Sequence, residues 1–179
     1  MIELTVANPE ALYALGERVA GELGAGDLVV LSGPLGAGKT TFARGVGSGL
    51  GVRGPVTSPT FVLARTHPSP LGGPPLVHID AYRLGSALEF DDLNIDFARS
   101  VVVVEWGEGI LDGVSDSWLS IMIDRPSGAG SGGGEQGEDV PIEPRVVTIE
   151  GVGPRWIGID LAGLSVEDSR RSDVSEGGA

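Results

Sequence analysis

The segment Gly33-Pro-Leu-Gly-Ala-Gly38-Lys39-Thr40 follows the pattern G-x-x-x-x-G-K-[ST]. The glycines of this pattern let backbone N–H groups converge on a phosphate group at the positive end of the helix that follows. We expect Lys39 to contact the outer phosphates and the Thr40 hydroxyl to ligate Mg²⁺. Lys39 is also the single lysine among the twelve basic residues of the chain. The segment therefore predicts a site for a nucleoside triphosphate with Mg²⁺.

The context of this loop separates it from an ordinary glycine-rich turn with an exposed lysine. An apolar run at residues 27–32 precedes the loop, and a predicted helix follows it. The glycines between 128 and 134 have no lysine and no apolar run beside them, so they predict a linker. The predicted nucleotide-binding positions of the loop and the first helical turn are Gly33, Leu35, Gly36, Ala37, Gly38, Lys39, Thr40 and Thr41.

Two acids come at the ends of apolar, β-branched runs. Asp80 ends the run Leu76-Val-His-Ile-Asp80, and Glu105 ends the run Val101-Val-Val-Val-Glu105. In α/β proteins, sites form at the carboxyl ends of the sheet strands. Either carboxylate can therefore hold Mg²⁺, directly or through water, or orient the attacking water. The alternative for each is a strand-end acid that faces solvent.

Several other residues have both a functional and a structural interpretation. Ser58-Pro59-Thr60 either closes over the γ-phosphate or forms a turn before a strand. Arg83 either neutralises charge on the leaving phosphates or lies exposed on the surface, and Trp106 either walls the nucleotide pocket, contacts a partner or packs in the core. His67 and His78 lack metal-ligand spacing, and we interpret both as structural.

Composition excludes several classes of function. The chain has 179 residues, no cysteine and a formal net charge of −13. The charge disfavours direct nucleic-acid binding, so any RNA would be held by another protein. The lack of cysteine excludes disulfides, thiolate metal sites and cysteine nucleophiles. No apolar run approaches the ~20 residues of a membrane span and no basic leader opens the chain, which favours a cytoplasmic protein without a membrane role.

Hydrophobic periodicity predicts the elements that position these residues. Asn8-Pro9 predicts the start of a helix that runs to about Leu23, and the loop leads into a second helix from Lys39 to Leu50. A third helix is predicted around residues 87–97. Strands are predicted at residues 2–6, 27–32, 61–67, 76–80, 101–105, 118–124 and 142–150. The third and fourth strands, and the last two, are expected to form antiparallel pairs.

These elements predict a P-loop NTPase-like α/β fold with three layers. We expect a mostly parallel central sheet, helices on both of its faces, and antiparallel strands at the edge. Residues 1–162 are expected to form a single domain that carries a flexible glycine-rich insert at residues 127–140. The polar and charged residues 163–179 predict a disordered tail.

Four segments in series resemble the bacterial TsaE (YjeE) family. They are the phosphate loop, Ser58-Pro-Thr-Phe61, His78-Ile-Asp-Ala-Tyr-Arg83 and Glu105-Trp-Gly-Glu108, and the resemblance covers residues 1–160. It implies an ATPase required to form N6-threonylcarbamoyladenosine in tRNAs that read codons beginning with A. It further implies that the partner is the TsaB–TsaD complex, on which ATP binding and hydrolysis act, and that tRNA is met only indirectly.

The resemblance also assigns roles by position. Lys39 and Thr40 become the phosphate and Mg²⁺ residues, Glu105 the second Mg²⁺ residue, and Asp80 an acid required for activity. Trp106 belongs to the motif on the nucleotide side. Arg145 matches an arginine near the adenine. The catalytic set implied for this chain is Lys39, Asp80 and Glu105.

Three rival functions fit a phosphate loop. A GTPase requires an Asn-Lys-x-Asp element to read guanine, which a chain whose single lysine lies in the phosphate loop cannot supply. A small-molecule kinase requires an acceptor pocket and usually a lid with arginines, whereas the arginines here are scattered. A nucleotide-sensing interaction module without productive hydrolysis would require the same residues, and the sequence leaves it open.

Overall fold

The computed structural model describes residues 1–59, 62–84, 86, 89–90, 92–107, 114–125 and 143–165. The elements of this part of the chain include two α-helices and seven strands, and residues 89 and 90 are also helical. The two helices and seven strands are β1 (Ile2–Val6), α1 (Pro9–Ala20), β2 (Leu28–Ser32), α2 (Lys39–Gly49), β3 (Ala64–His67), β4 (Leu76–Asp80), β5 (Val101–Glu105), β6 (Trp118–Asp124) and β7 (Arg145–Val152). Short 3₁₀ helices span Ala81–Arg83, Phe97–Arg99, Pro154–Trp156 and Leu161–Leu164.

All seven strands join one mixed sheet in the order β1-β7-β6-β2-β5-β4-β3. The four central strands β6, β2, β5 and β4 are parallel. The outer pairs β1 with β7, β6 with β7, and β3 with β4 are antiparallel. The predicted α/β fold with a mostly parallel centre and antiparallel edges is therefore confirmed, and so are both predicted antiparallel pairs.

Alternation along the central strands divides the core into two layers. Val29 and Leu31 of β2 pack with α1 and α2 on one face of the sheet. Leu28 and Val30 point to the other face, where they pack in a second cluster with Ala81, Leu84 and Phe90. Helices α1 and α2 thus lie on one face, and on the second face Phe90 of the helical residues 89–90 packs with the 3₁₀ turn at Ala81.

Helix α1 begins as the sequence predicts and ends earlier. The Asn8 side chain accepts a hydrogen bond from the Ala11 N–H at 2.8 Å, and Pro9 occupies the first helical turn. The predicted end near Leu23 is wrong because the helix stops at Ala20, and the Gly21 N–H bonds back to the Arg18 carbonyl. Leu23 lies in the turn that follows and still packs against the core.

Two further boundaries differ from prediction. Residues 92–96 of the helix expected around 87–97 form turns and irregular backbone, because Asn94 adopts a left-handed φ of 50° that an α-helix excludes. The strand expected from residue 61 begins at Ala64. Val62 and Leu63 both bond to the Pro59 carbonyl, and Leu63 has a φ of 65°, so they form a turn instead.

The packed domain extends slightly beyond its expected limit. Leu161 and Leu164 are buried in a 3₁₀ helix, and the Leu164 carbonyl accepts a hydrogen bond from Arg18 of α1 at 3.1 Å. Residues 163 and 164, expected in the tail, therefore belong to the domain. The rest of the predicted tail from residue 166 and the predicted insert at 127–140 lie outside the described residues. Across the described chain, no helix has the length and apolarity that a membrane span requires.

Candidate functional site

The phosphate loop connects the carboxyl end of β2 to the amino end of α2, as the sequence predicts. Two of its positions require glycine. Gly33 has a φ of 136°, and a Cβ there would lie 2.1 Å from the Ile123 carbonyl oxygen. Gly38, with a φ of 113°, caps α2, and a Cβ there would lie 2.5 Å from Leu12 Cδ2. The neighbouring strand β6 and helix α1 thus fix the shape of the loop.

The remaining loop positions differ in their exposure. Leu35 is 89% exposed at the surface, and Gly36 is exposed beside it. Ala37 is buried, and Thr41 is half-buried in the first turn of α2. The backbone of residues 36–41 therefore opens toward solvent on one side while its base is packed. This shape fits an anionic ligand that is held by backbone N–H groups at a helix amino terminus.

Lys39 lies in the concave side of the loop. Its ammonium donates hydrogen bonds to the Gly33 and Pro34 carbonyls at 2.8 and 3.1 Å, and stands 3.6 Å from the centre of the Trp106 ring. Burial lowers the pKa of the Lys39 ammonium below its ordinary value, while the charges of Glu105 and Asp80 oppose this shift. Trp106 thus lies beside the lysine, which agrees with its predicted place in the nucleotide pocket.

The two predicted acids are adjacent at the carboxyl end of the sheet. Asp80 and Glu105 are directly paired in the parallel register of β4 and β5, and both are buried. Thr40 of α2 donates its hydroxyl hydrogen to Glu105 Oε1 at 3.0 Å. Asp80 Oδ1 accepts the Tyr82 N–H at 3.2 Å. The structure therefore brings Lys39, Thr40, Asp80 and Glu105 together at one edge, as expected.

This donor set fits Mg²⁺ with a triphosphate better than Mg²⁺ held by protein alone. Among the described residues no three His, Asp or Glu side chains form a complete metal cluster. Mg²⁺ characteristically takes one or two protein oxygens and completes its octahedron with phosphates and water. The Thr40 hydroxyl and the Glu105 carboxylate are hydrogen-bonded to each other and supply such a pair.

A cavity of about 480 Å³ adjoins the first residues of the loop. The Tyr82 and Trp106 rings border it and meet edge to face, with their centroids 5.7 Å apart. Trp106 has an unusual φ of 64° for a residue with a side chain, and its N–H bonds to the Leu31 carbonyl at 3.0 Å. Strained backbone of this kind is concentrated at functional sites, which supports a role for Trp106 there.

Two arginines from the β6–β7 hairpin contact the outer side of the loop. Arg145 donates from Nε to the Ala37 carbonyl at 3.3 Å, and Arg125 donates to the Gly36 carbonyl at 3.2 Å. Arg145 thus lies at the predicted nucleotide site, against the backbone of the phosphate loop. Arg125 was not predicted, because only the fold shows that the end of β6 reaches this loop.

His78, which we interpreted from the sequence as structural, lies directly beside Glu105. Its Nε2 lies 2.8 Å from Glu105 Oε1, and its side chain is fully buried. The available signal was the two-residue spacing of His78 and Asp80, which places both on the same face of β4. Of the other predicted segments, Thr60 and Glu108 lie outside the described residues, as does the Arg83 side chain.

Comparisons with known proteins agree with this arrangement. A family model described as "Threonylcarbamoyl adenosine biosynthesis protein TsaE" matches residues 6–130. A Streptomyces coelicolor protein named tRNA threonylcarbamoyladenosine biosynthesis protein TsaE is 53% identical over 154 residues, which cover 84% of this chain and 97% of that protein. A protein of the same name from Bacillus subtilis is 38% identical over 121 residues, which cover 66% of this chain and 74% of that protein.

The fold is also found in a solved structure. The crystal structure of YdiB from Bacillus subtilis superposes with a TM-score of 0.64 at 30% sequence identity. The match covers 87% of this chain and 88% of that chain. The shared fold therefore extends over most of both chains.

Proposed function

Because the chain belongs to the TsaE family of threonylcarbamoyladenosine biosynthesis proteins, we propose that it is a Mg²⁺-dependent ATPase of that pathway. This pathway would form N6-threonylcarbamoyladenosine in tRNAs that read codons beginning with A. The observation that carries the ATPase proposal is the Thr40–Glu105 hydrogen bond at the foot of the loop that holds Lys39. A loop that only bound an anion would have no need of a buried carboxylate at that position.

In this proposal each polar side chain has a separate task. Lys39 offsets the negative charge that develops on the outer phosphates during transfer to water. The Thr40 hydroxyl and the Glu105 carboxylate would hold Mg²⁺, which would supply charge neutralisation to the outer phosphates. Backbone N–H groups of the loop surround the phosphates, assisted by the positive end of α2.

Asp80 is proposed to orient the attacking water. Its carboxylate is buried next to Glu105 in register, and the Tyr82 N–H bonds to Oδ1. A carboxylate held in this way can accept a hydrogen bond from water on its other oxygen. Trp106 excludes bulk water beside the lysine because its ring packs against the ammonium.

The proposed partner is the TsaB–TsaD complex, with tRNA reached through that complex. The net charge of −13 supports this assignment, since an acidic protein does not bind the RNA backbone by itself. Leu35 and Tyr82 are two large hydrophobic residues exposed beside the loop, where a partner could cover them. We expect slow ATP hydrolysis by the isolated chain and faster hydrolysis in the complex.

The test is Mg²⁺-dependent ATP hydrolysis by the chain alone and with the TsaB–TsaD proteins of its host, measured for the wild type and for Lys39→Ala. Stimulation by the partners that Lys39→Ala abolishes is the expected result. Tight ATP binding with neither hydrolysis nor partner effect would refute the ATPase proposal. Phosphate transfer to a small molecule in a substrate screen would replace it with a kinase.

A further inference from the structure

His78 occupies a place in the core that is directly behind the proposed Mg²⁺ carboxylate. It lies in the middle of β4, and two-residue alternation puts it on the same face as Asp80 and Leu76, beneath α2. In the parallel register of β4 and β5, His78 pairs with Val103, which lies two residues before Glu105 on the same face of the strand. This diagonal separation is within reach of long side chains on neighbouring strands.

The His78 ring holds one oxygen of Glu105. Nε2 lies 2.8 Å from Glu105 Oε1, and because an ionised carboxylate only accepts hydrogen bonds, Nε2 must carry the proton. The Thr40 hydroxyl donates to the same Oε1 at 3.0 Å. In the described part of the chain Glu105 accepts hydrogen bonds on Oε1 alone, which leaves Oε2 for a ligand.

Packing alone does not account for a histidine at this position. Its side chain has no exposed surface, and its Nδ1 finds no hydrogen-bond partner among the described residues. Buried polar atoms are nearly always paired, and an apolar side chain here would leave none unpaired. Within the described part of the chain, the hydrogen bond that the His78 ring makes is to Glu105, and a leucine at this position could not make it.

We infer that His78 is a positioning residue that fixes the Glu105 carboxylate for Mg²⁺, an inference that rests on the proposed function. Groups that orient a metal-binding side chain typically change metal affinity or activity about 10–100-fold when they are removed. His78 acts through Glu105, and it touches neither ATP nor the reacting atoms in this assignment.

Two amide substitutions separate the hydrogen bond from the polarity of the ring. The Gln amide of His78→Gln reaches the position of Nε2 and can donate to Oε1, whereas the shorter Asn amide of His78→Asn ends near the position of Nδ1. We expect His78→Gln to retain most of the wild-type kcat and His78→Asn to lose about tenfold or more. ATP affinity measured without Mg²⁺ should be equal in the three proteins.

The decisive measurement is the strengthening of ATP binding by Mg²⁺, followed by calorimetry so that it does not depend on hydrolysis. His78→Asn should show a smaller Mg²⁺ effect than the wild type, and His78→Gln should resemble the wild type. The matched control is His67→Asn, at the other buried histidine, which has no contact with Glu105. It should keep the full Mg²⁺ effect.

The outcomes separate this inference from the proposed function. Equal Mg²⁺ effects in His78→Asn, His78→Gln and wild type would overturn the role of His78, even with ATP hydrolysis intact. The same holds for equal losses in both variants, because a lost hydrogen bond cannot then be the cause. A wild type that shows the Mg²⁺ effect without hydrolysis would refute the ATPase and leave His78 in place. If Mg²⁺ left the ATP affinity of the wild type unchanged, both the proposed ATPase function and the role of His78 would be overturned.

Discussion

Two acids lie at opposite ends of the central strands and are equally buried, but they differ in their hydrogen-bond partners. Asp27 immediately precedes β2, Glu105 ends β5, and each side chain is 7% exposed. Asp27 accepts hydrogen bonds on both oxygens, from Arg155 Nε and Nη2 at 2.9 Å each and from the Gly24 N–H at 2.8 Å. The described residues bond to Glu105 on Oε1 alone.

This difference separates a structural acid from a ligand-binding one. Arg155 neutralises Asp27 in a bidentate pair and also donates to the Glu22 carbonyl, so it joins the turn after α1 to the 3₁₀ helix after β7. At the opposite end, Glu105 and Asp80 lie side by side with one buried cation, Lys39, between the loop and the Trp106 ring. Two adjacent buried carboxylates, one of which has an oxygen without a hydrogen bond from the described residues, are typical of a site that binds a cation.

The largest expected effect is that of Glu105→Gln, which keeps the shape of the side chain and removes its charge. We expect ATP hydrolysis to fall about 100-fold, because the proposed Mg²⁺ ligand is weakened. The free energy of unfolding should change by no more than about 1 kcal/mol, since functional sites are seldom optimised for stability. Steady-state hydrolysis and urea unfolding measure the two quantities.

The control for Glu105→Gln is Glu150→Gln, an exposed acid of β7. It should leave both hydrolysis and stability unchanged. If Glu105→Gln instead unfolded the protein and Glu150→Gln did not, Glu105 would belong with Asp27 as a structural acid, and the contrast between the two ends would fail.

The next largest effect is expected for Asp27→Ala, and it concerns the free energy of unfolding instead of ATP hydrolysis. Loss of this acid leaves Arg155 and the Gly24 N–H without their partner, and breaking a buried ion pair costs several kcal/mol. Because Arg155 is 38% exposed and can be hydrated, we expect a smaller loss of about 2 kcal/mol in the free energy of unfolding. ATP hydrolysis should be unchanged at temperatures where the variant is folded. A large loss of hydrolysis by the folded variant would contradict a purely structural role.

A smaller effect is expected for Arg145→Ala at the carboxyl end. Arg145 is only 17% exposed and donates to the Ala37 carbonyl, so its removal loosens the loop and withdraws positive charge. We expect ATP to bind about fivefold more weakly, equivalent to about 1 kcal/mol for one hydrogen bond. Arg125→Ala provides the comparison, because this exposed arginine makes a similar bond to Gly36 and should matter less. Equal effects of the two variants would show that burial of Arg145 adds nothing.

The strands and the main site could be predicted from the sequence because their signals are local. The runs at β2, β4 and β5 are largely apolar and rich in β-branched residues; β4 and β5 end in the acids Asp80 and Glu105, and the phosphate loop follows β2 directly. The loop pattern then fixes Lys39 and Thr40 relative to β2. Parallel alignment of strands is enough to bring Asp80 and Glu105 to the same edge.

What the sequence could not show depends on contacts between distant segments. Arg125 reaches Gly36 across 89 positions, and His78 reaches Glu105 across 27 positions, only once the strand order is known. The helix predicted around 87–97 is too long, because residues 89 and 90 are helical whereas residues 92–96 are not. Leu93, Ile95 and Phe97 pack against the same cluster as Phe90 without α-helical backbone, so tertiary packing overrides local propensity there.

The smallest predicted effect concerns acid stability at the amino end, where His67 pairs with Leu76 at the start of β4. Burial first, and then the charges of His78 and Arg65, lower the pKa of the His67 ring below its ordinary value. The unfolded chain therefore takes up this proton near a pH of about 6.5, before the folded chain does. The contribution of His67 to the free energy of unfolding is fully present above that pH, and it is lost as the pH drops toward the lowered pKa of the folded state.

Substitution of His67 by leucine should remove this part of the acid sensitivity. The free energy of unfolding, measured by urea at about pH 7.5 and about pH 5.5, should fall less in His67→Leu than in the wild type, by a fraction of a kcal/mol. The chain has two histidines, so His78→Gln measured in the same way reports the other ring. An equal fall in His67→Leu and wild type would show that the His67 ring does not contribute to the acid sensitivity.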